Sequence, residues 1–334
     1  MSVSSQAAQD ARDVAVIIPA FNAASYIDQA LASVAAQTVR PGAVVVVDDC
    51  SADDTAGQAS RWRDRLPVEV VRLFANRGPG VARDAGIAAS SAGLLAMLDA
   101  DDMFLPDHLA TMLSTHARAP GLISAQELSW TPGAELTFAD GASKRSAGVS
   151  AVHSLLHRNF VNFGFFSRAL YEKAGGFADK YYCEDWDLWV RMARAGATIT
   201  SASHPTAIHR VHPESLSYDT VTIARHGVAF LTAELQAARS PGEASAARAG
   251  LSALRGKLSF YRASELVAIG DLRQARRTAI GGLPGDGLKA CAGLIALALA
   301  PTMAAKIERH TRRYRLQSGA YVPGGAGDAP PGLA

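Results

Sequence analysis

The first hundred residues of the chain contain several short apolar runs. Four of them have the length of a strand and are apolar or nearly apolar rather than alternating: Val14–Ile18, Ala43–Val47, Val68–Leu73 and Leu94–Leu98. Continuous apolarity over so short a length is typical of strands that are buried on both faces, as in a parallel sheet.

Helical patterns separate these runs. Between the first two runs, Ser25–Gln37 carries apolar residues at helical spacing, and Ser25 followed by Asp28 predicts a capping box at the helix start. The alternation of strands and helices predicts an α/β protein with a doubly wound, mostly parallel sheet flanked by helices.

The second half of the chain is less regular. Glu184–Ala195 has a helical pattern, and the sequence beyond Tyr218 is rich in Ala and Arg without clear strands. Val267–Leu283 predicts a helix, a Gly-Asp turn and a second helix. We therefore expect a disordered N-terminus (residues 1–13), an α/β domain (14–219), a helical C-terminal region (220–318) and a disordered tail (319–334).

Charge and cysteine content narrow the class of protein. The formal net charge is only +2, which does not indicate a surface that binds nucleic acid. The three cysteines are far apart in sequence, so a disulfide framework or a thiolate zinc site is not expected. The polar N-terminus does not resemble a signal peptide, and a cytoplasmic location is the expectation.

One C-terminal segment qualifies that expectation. Leu288–Ala305 is apolar apart from Lys289 and Pro301, and a basic run extends from Lys306 to Arg315. An apolar stretch beside a basic run indicates peripheral contact of residues 288–315 with the cytoplasmic face of an inner membrane. The alternative is an Ala-rich helix buried against the α/β domain.

Polar clusters follow three of the four predicted strands. They are Pro19-Ala20-Phe21-Asn22, then Asp48-Asp49-Cys50-Ser51, and finally Asp99-Ala100-Asp101-Asp102. Ligands of open α/β sheets bind at the carboxyl ends of strands, so these clusters are expected to line one site. Asp53 and Asp107, by contrast, are interpreted as helix caps. Five carboxylates at one edge repel one another, which favours a bound cation.

The Asp99-Ala100-Asp101 arrangement suits a hard divalent cation, Mn²⁺ or Mg²⁺, that keeps some coordination positions for phosphate oxygens. A DxD triplet alone is a weak signal. Its position directly after a buried strand makes it stronger.

Taken in order, four segments resemble the signatures of family 2 glycosyltransferases, which have the GT-A fold. These segments are VIIPAFNAASYIDQALASVAAQT, VVVDDCSADDT, NRGPGVARDAG and LDADD, and GGFADKYYCEDWDLWVRMARAG and HRVHPESLS resemble later motifs of that family. The resemblance covers residues 14 to 218 and implies an inverting transferase that uses a nucleotide-sugar donor. UDP-, GDP- and dTDP-sugars all remain open, and a glycan or lipid-linked acceptor is implied.

The resemblance also implies roles for individual residues. Pro19 and Phe21 would line the base, and Asp49 would accept a hydrogen bond from its edge. Arg77 would face the base or the phosphates, and Arg83, Asp84 and Gly86 would shape a helix over the donor. The full nucleotide-sugar set is Pro19, Ala20, Phe21, Asn22, Asp49, Arg77, Asp99 and Ala100.

Metal and catalytic roles follow from the same resemblance. Asp101 would bind the cation, Asp99 would lie near both ribose and metal, and His212 would complete the metal site or contact the diphosphate. Asp185 would be the general base that deprotonates the acceptor hydroxyl.

Simpler alternatives exist for several of these residues. They are a surface position for His212 and a solvated or salt-bridged side chain for Arg77 and Arg83. For Glu184 and Asp185, the alternative is a position in the first helical turn that interacts favourably with the helix dipole.

Two other functions fit parts of the pattern. A sugar nucleotidyltransferase shares the α/β plan and an acidic metal site, but its Gly-rich basic loop is missing from PAFNAASY. A non-catalytic nucleotide- or sugar-binding module is the other alternative. The presence of both the DxD triplet and the Glu184-Asp185 pair argues against it.

Overall fold

A computed structural model of the protein describes residues 11–138 and 150–281. The described residues divide into two compact units. One contains the chain up to Leu155 and Asn159–His212, and the other contains Leu156–Arg158 and the chain from Pro213 onward.

The first unit is built on one sheet. Its described strands are β1 (Val14–Ala20), β2 (Ala43–Asp48), β3 (Val68–Arg72), β4 (Leu94–Met97), β5 (Met103–Phe104), β6 (Leu122–Trp130), β7 (Thr137–Phe138), β8 (Phe165–Ser167) and β9 (Ile199–Arg210). The order is β3-β2-β1-β4-β8-β6-β9-β5, with β7 beside β6. Strands β3, β2, β1 and β4 are parallel, and β6 is parallel to β9. Strand β8 is antiparallel to both β4 and β6.

The four predicted strands are confirmed, because they correspond to β1–β4. Every residue of β1 is buried, as continuous apolarity predicts for a central parallel strand. The helices that accompany the sheet are α1 (Ile27–Ala35), α2 (Thr55–Ser60), α3 (Pro79–Ala89), α4 (His108–Arg118), α5 (Ala151–His157), α6 (Arg168–Ala174) and α7 (Glu184–Arg194). The predicted α/β class with a mostly parallel sheet is thus confirmed.

Helix α3 lies unusually close to the sheet. A Cβ atom at Gly86 would stand 2.8 Å from a methyl group of Ile17 and 2.9 Å from one of Val47. Only a residue without a side chain allows this approach. Gly86 therefore sets the depth at which α3 packs, and with it the position of Arg83 one turn earlier.

The predicted capping box at the start of α1 is wrong. The helix begins at Ile27, and the residue before it, Tyr26, makes no side-chain cap. Asp28 instead accepts a hydrogen bond of 2.8 Å from the indole nitrogen of Trp62. Asp28 thus bonds to a side chain 34 positions away instead of to the start of its own helix. A local sequence pattern does not reveal such a partner.

The second unit is helical in its described part, with α8 (Thr220–Gln236), α9 (Pro241–Ala268) and α10 (Leu272–Gly281). The predicted helix–turn–helix is found: Gly270 adopts a φ of 85°, and Asp271 accepts a hydrogen bond from the amide of Gln274. None of the described helices has the length and apolarity needed to cross a bilayer.

Several predictions fall outside the described residues. They concern residues 1–10 of the N-terminus, the 288–315 segment and the 319–334 tail. Residues Ala11–Asp13 form a 3-10 helix, and Asp13 accepts a hydrogen bond of 2.7 Å from the amide of Gly93. Regular structure therefore begins before Val14.

Candidate active site

The loops after β1 and β2 are joined at the carboxyl edge of the sheet. Asn22, at a φ of 50°, donates its amide to the Ser51 hydroxyl and accepts a hydrogen bond from the amide of Ala52, both at 2.9 Å. Pro19 and Ala20 are buried within β1, whereas the Phe21 ring is 46% exposed. Of these four predicted residues, Phe21 therefore presents a free ring face, and Asn22 holds the two loops together.

Asp49 joins the end of β2 to the loop after β3. One carboxylate oxygen accepts the amide of Arg77 at 2.8 Å and the other accepts the amide of Gly78 at 2.7 Å. Asp49 is buried. The Arg77 side chain points elsewhere and forms an exposed ion pair of 2.9 Å with Asp179. Asp49 thus has a structural task besides any contact with a nucleotide.

The two acids interpreted as caps differ. Asp53 accepts hydrogen bonds from the Ala24 amide and from both the amide and the hydroxyl of Thr55, which holds the start of α2. Asp107 stands at the N-cap of α4 but makes no side-chain cap. Its carboxylate contacts His204 at 2.6 Å instead.

The turn after β4 carries three aspartates with three different partners. Asp99 is half exposed and pairs with Arg83 at 2.6 Å. The side chain of Asp101 is one-quarter exposed, and its carboxylate lies 2.9 Å from Nε2 of His212. Asp102 is buried and accepts the amide of Arg210 at 2.8 Å.

Protein cations neutralise much of this acidic edge. His209 lies 3.2 Å from Asp102, and this carboxylate raises the pKa of His209 to about 10 despite the opposing effect of burial. Clustered carboxylates therefore do not by themselves require a metal here, because the imidazolium of His209 already supplies positive charge. Arg83 does the same for Asp99.

Burial raises the pKa of Asp101, but the hydrogen bond and charge of His212, with a further effect of His209, lower it overall. The Asp101 carboxylate is consequently held in its charged form. That is the form a cation requires.

Arg210 fixes the backbone of this turn, a role the sequence analysis missed. Its side chain is fully buried, and Nε donates to the main-chain oxygen of Asp101 at 2.8 Å. The guanidinium lies 5.2 Å from the ring centre of Tyr26 and 4.8 Å from that of Trp130. These contacts leave the Asp101 loop little freedom to move.

Asp101 and His212 provide one oxygen and one nitrogen donor at one place, which suits a divalent cation that also takes phosphate oxygens and water. The other ring nitrogen of His212 is 3.2 Å from the Tyr26 hydroxyl, a contact that orients the imidazole. Within residues 11–138 and 150–281, no three His, Cys, Asp or Glu side chains are grouped as a complete metal site. Asp101 and His212 would share such a cation with oxygens of a bound diphosphate.

A second acidic pair begins α7. Glu184 is buried and pairs with Arg83 at 2.7 Å, so one guanidinium joins Asp99 to the start of this helix. Burial lowers the pKa of Arg83, yet Asp99, Glu184 and Asp185 raise it overall. The alternative of a salt-bridged Arg83 is confirmed, and Arg83 brings the two acidic regions together.

The ring of Phe177 packs against Arg83, with its centre 5.7 Å from the guanidinium carbon. Phe177 is itself fixed, because its amide donates to the carboxylate of Asp84 at 3.0 Å. The Tyr171 hydroxyl donates to the same oxygen of Asp84 at 2.5 Å. Asp84 thus fixes the platform on which Arg83 rests.

Asp185 lies beside Glu184 and is only partly buried. One oxygen accepts a hydrogen bond of 3.1 Å from the side-chain amide of Asn159, and the other accepts the Trp186 amide at 2.6 Å. Burial raises the pKa of Asp185 above its ordinary value, against the lowering effects of Arg83, Trp186 and Asn159. A carboxylate with a raised pKa is a better proton acceptor near neutral pH.

The chain is similar to known sugar-transferring proteins. Residues 15–129 match the sequence model described as glycosyl transferase family 2. The succinoglycan biosynthesis protein ExoO of Rhizobium meliloti is 38% identical over 133 residues, which cover 40% of this chain and 36% of that protein. The match spans about a third of the length of ExoO and of the succinoglycan biosynthesis protein ExoU of the same organism.

Two solved structures share the fold. Residues 1–349 of S. aureus TarS in complex with UDP-GlcNAc give a TM-score of 0.59 at 18% identity, covering 92% of both chains. The mannosyltransferase PcManGT of Pyrobaculum calidifontis, in complex with GDP-Man and Mn²⁺, gives a TM-score of 0.61 at 20% identity, covering 92% of this chain and 84% of that one. These similarities confirm the GT-A architecture.

Proposed function

We propose that this chain, whose residues 15–129 match glycosyl transferase family 2, moves a sugar from a nucleotide-activated donor to an acceptor hydroxyl. The observation that carries the proposal is the double ion pair of Arg83 with Asp99 and Glu184. This double ion pair connects the acidic turn at the carboxyl edge of the sheet to the start of α7, where the half-buried carboxylate of Asp185 lies. Residues 14–219 form the catalytic domain in this proposal.

The donor occupies the carboxyl edge of the sheet, where the loops after β1, β2 and β3 meet. The exposed ring of Phe21 stacks on the base, beside the loop that Asp49 holds. Neighbours of the same fold were crystallised with UDP-GlcNAc and with GDP-Man, which supports a nucleotide-sugar donor. UDP-, GDP- and dTDP-sugars are all candidates.

Asp101 and His212 hold a divalent cation, Mn²⁺ or Mg²⁺, when the donor is bound. Such a cation neutralises the charge that develops on a diphosphate leaving group. The Mn²⁺ in the structure of PcManGT supports this proposal. Asp99 is already paired with Arg83, so we assign it to orientation of that turn and to the ribose.

Asp185 acts as the general base. Asn159 and the Trp186 amide hold its carboxylate in place, and its raised pKa favours removal of a proton from the acceptor hydroxyl. The oxygen so activated attacks the anomeric carbon in a single in-line displacement, and the bond to the nucleoside diphosphate breaks. The anomeric configuration is inverted as a result.

The acceptor is a cell-envelope glycan or its lipid-linked precursor. This part of the proposal is supported by relatives that are named for succinoglycan and teichuronic acid biosynthesis. It places the protein in the cytoplasm, where nucleotide sugars are made, with contact to the membrane that carries such acceptors.

The proposal is tested with a panel of nucleotide sugars and a panel of glycan and lipid-linked acceptors in the presence of Mn²⁺ or Mg²⁺. We expect one donor to be consumed in an acceptor-dependent way and to give a product of inverted configuration by NMR. Release of pyrophosphate from a nucleoside triphosphate and a sugar phosphate would instead identify a nucleotidyltransferase. A product of retained configuration would contradict the role of Asp185.

A further inference from the structure

The last described helix, α10, has an unusual distribution of side chains. It packs on α9 through small residues, and Ala275 and Ala279 are its fully buried positions. Its large aliphatic side chains face outward: Leu272 is 37% exposed and Ile280 is 51% exposed. A surface helix normally buries its large apolar residues and exposes the small or polar ones, so this arrangement is inverted.

Arginines share the outward face. Arg273, Arg276 and Arg277 are exposed, and among the described residues no ion pair is found for any of them. At 3.6 residues per turn, Leu272, Ile280 and the three arginines fall within an arc of roughly 140°. We call this surface, together with Ile269, the α10 face.

Ile269 extends the apolar part of this face. It lies in the turn before α10 and is 78% exposed. The acid in the same turn, Asp271, already accepts a hydrogen bond from the Gln274 amide and thereby caps the helix. The α10 face therefore combines three aliphatic side chains with three arginines, and the carboxylate of Asp271 beside it caps the helix.

Three of the five other exposed large apolar residues in the described part of the chain lie around the candidate active site. Phe21, Phe74 and Tyr181 belong to the loops around the candidate active site, where a bound donor or acceptor can cover them. The α10 face belongs to the other compact unit. Its exposed aliphatic groups therefore call for a different partner.

We propose that the α10 face binds the surface of a membrane rich in anionic phospholipid. Long aliphatic side chains enter the boundary between headgroups and acyl chains, and arginines next to them pair with lipid phosphates. Nucleic acid fits less well, because its binding surfaces combine basic groups with aromatic rings for stacking, and this face carries no aromatic side chain. The proposal does not depend on the sugar-transfer reaction.

The test is flotation of the full chain with vesicles of phosphatidylcholine alone or mixed with phosphatidylglycerol. We expect binding to the mixed vesicles only, weakened by salt. In the triple variant Arg273→Glu/Arg276→Glu/Arg277→Glu, binding should fall at least about a hundredfold, because loss of each arginine near an anionic surface costs about fivefold and the introduced glutamates are repelled as well. The double variant Leu272→Ser/Ile280→Ser should weaken binding about tenfold.

A matched control carries the same change of charge at three exposed arginines of the first unit, as Arg12→Glu/Arg63→Glu/Arg118→Glu. It should bind like the parent. All replaced side chains are exposed, and circular dichroism checks that each variant is folded.

Four results would overturn the proposal. The parent chain could fail to float with anionic vesicles, or the control could lose as much binding as the α10 variant, which would mean a general effect of charge. Binding unchanged in both α10 variants would assign it to another part of the chain. A dimer that the Leu272→Ser/Ile280→Ser variant dissociates, without vesicle binding by the parent, would make a second copy the partner.

Discussion

The two acidic pairs of the candidate site are built on the same plan. Asp101-Asp102 follows β4, and Glu184-Asp185 begins α7. In each pair one acid is buried against a protein cation, and the other is more exposed. Asp102 and Glu184 are the buried members. Each therefore anchors its neighbour, Asp101 or Asp185, at a fixed place.

The exposed members differ in their proton affinity. His212 and His209 outweigh burial and lower the pKa of Asp101, whereas burial dominates at Asp185 and raises its pKa. An aspartate with a lowered pKa stays charged and suits a cation, and one with a raised pKa suits proton transfer. The same residue type thus serves two tasks through its surroundings, and the following variants test that division.

The largest effect is expected for Asp185→Asn. The amide keeps the shape of the side chain but takes no proton, so kcat should fall about a hundredfold to ten-thousandfold while donor affinity is unchanged. Steady-state kinetics with the donor found in the panel provide the measurement.

Asp187→Asn is the matched control in the same helical turn. Its carboxylate is bound by Lys180 at 2.5 Å and by Arg191 at 2.7 Å, so its loss should lower the melting temperature rather than kcat. A kcat that falls in Asp187→Asn but not in Asp185→Asn would identify Asp187, rather than Asp185, as the general base.

Asp101→Ala is expected to reduce turnover about a hundredfold to a thousandfold, because the charge on the departing diphosphate is left without its cation. The neighbouring variant Asp102→Asn should lower the melting temperature but keep the response to Mn²⁺. Turnover in Asp101→Ala at the parent level, measured over a range of Mn²⁺ concentrations, would exclude Asp101 as a ligand.

Arg83→Met should change the pH dependence of kcat. Asp185 acts as a base only above its pKa, and Arg83 lowers that pKa, so loss of Arg83 moves the acidic limb to higher pH. It should also cost about 3 kcal/mol of stability, because Glu184 is left buried without its partner. Arg83→Lys should recover part of both effects.

Arg61→Met serves as the control, since Arg61 forms only an exposed pair with Asp54. Its pH profile should match that of the parent. An unmoved acidic limb in Arg83→Met, in protein that remains folded, would separate Arg83 from the base.

The smallest effect is expected for Asn159→Ala. Removing one hydrogen bond to Asp185 costs about 1 kcal/mol, which corresponds to roughly a fivefold loss in kcat. The acidic limb should also move to higher pH, because Asn159 lowers the pKa of Asp185. A parent-like pH profile would show that Asn159 does not position the base.

Local patterns predicted the elements of this molecule well. The apolar runs gave β1–β4, and the helical spacing after Cys183 gave α7, whose observed bounds are Glu184–Arg194. These features depend on neighbouring residues, and the parallel sheet then places the ends of β1, β2 and β4 at one edge. The location of the polar clusters at that edge therefore followed from the pattern.

The particular partners of the charged side chains could not be predicted from local sequence patterns. Arg83 and Glu184 are 101 positions apart, and His209 lies 107 positions from Asp102. Such contacts depend on strand order and on the close packing of α3 at Gly86, which no local pattern encodes. For the same reason, no local pattern showed that His209 would neutralise part of the carboxylate cluster, although a salt-bridged Arg83 was one of the alternatives.

The division of tasks between Asp101 and Asp185 is tested most directly by calorimetry of nucleoside diphosphate binding, with and without Mn²⁺. We expect Mn²⁺ to strengthen binding equally in the parent and in Asp185→Asn, and to have no effect on affinity in Asp101→Ala. A gain from Mn²⁺ that persists in Asp101→Ala, or one that disappears in Asp185→Asn, would contradict the account.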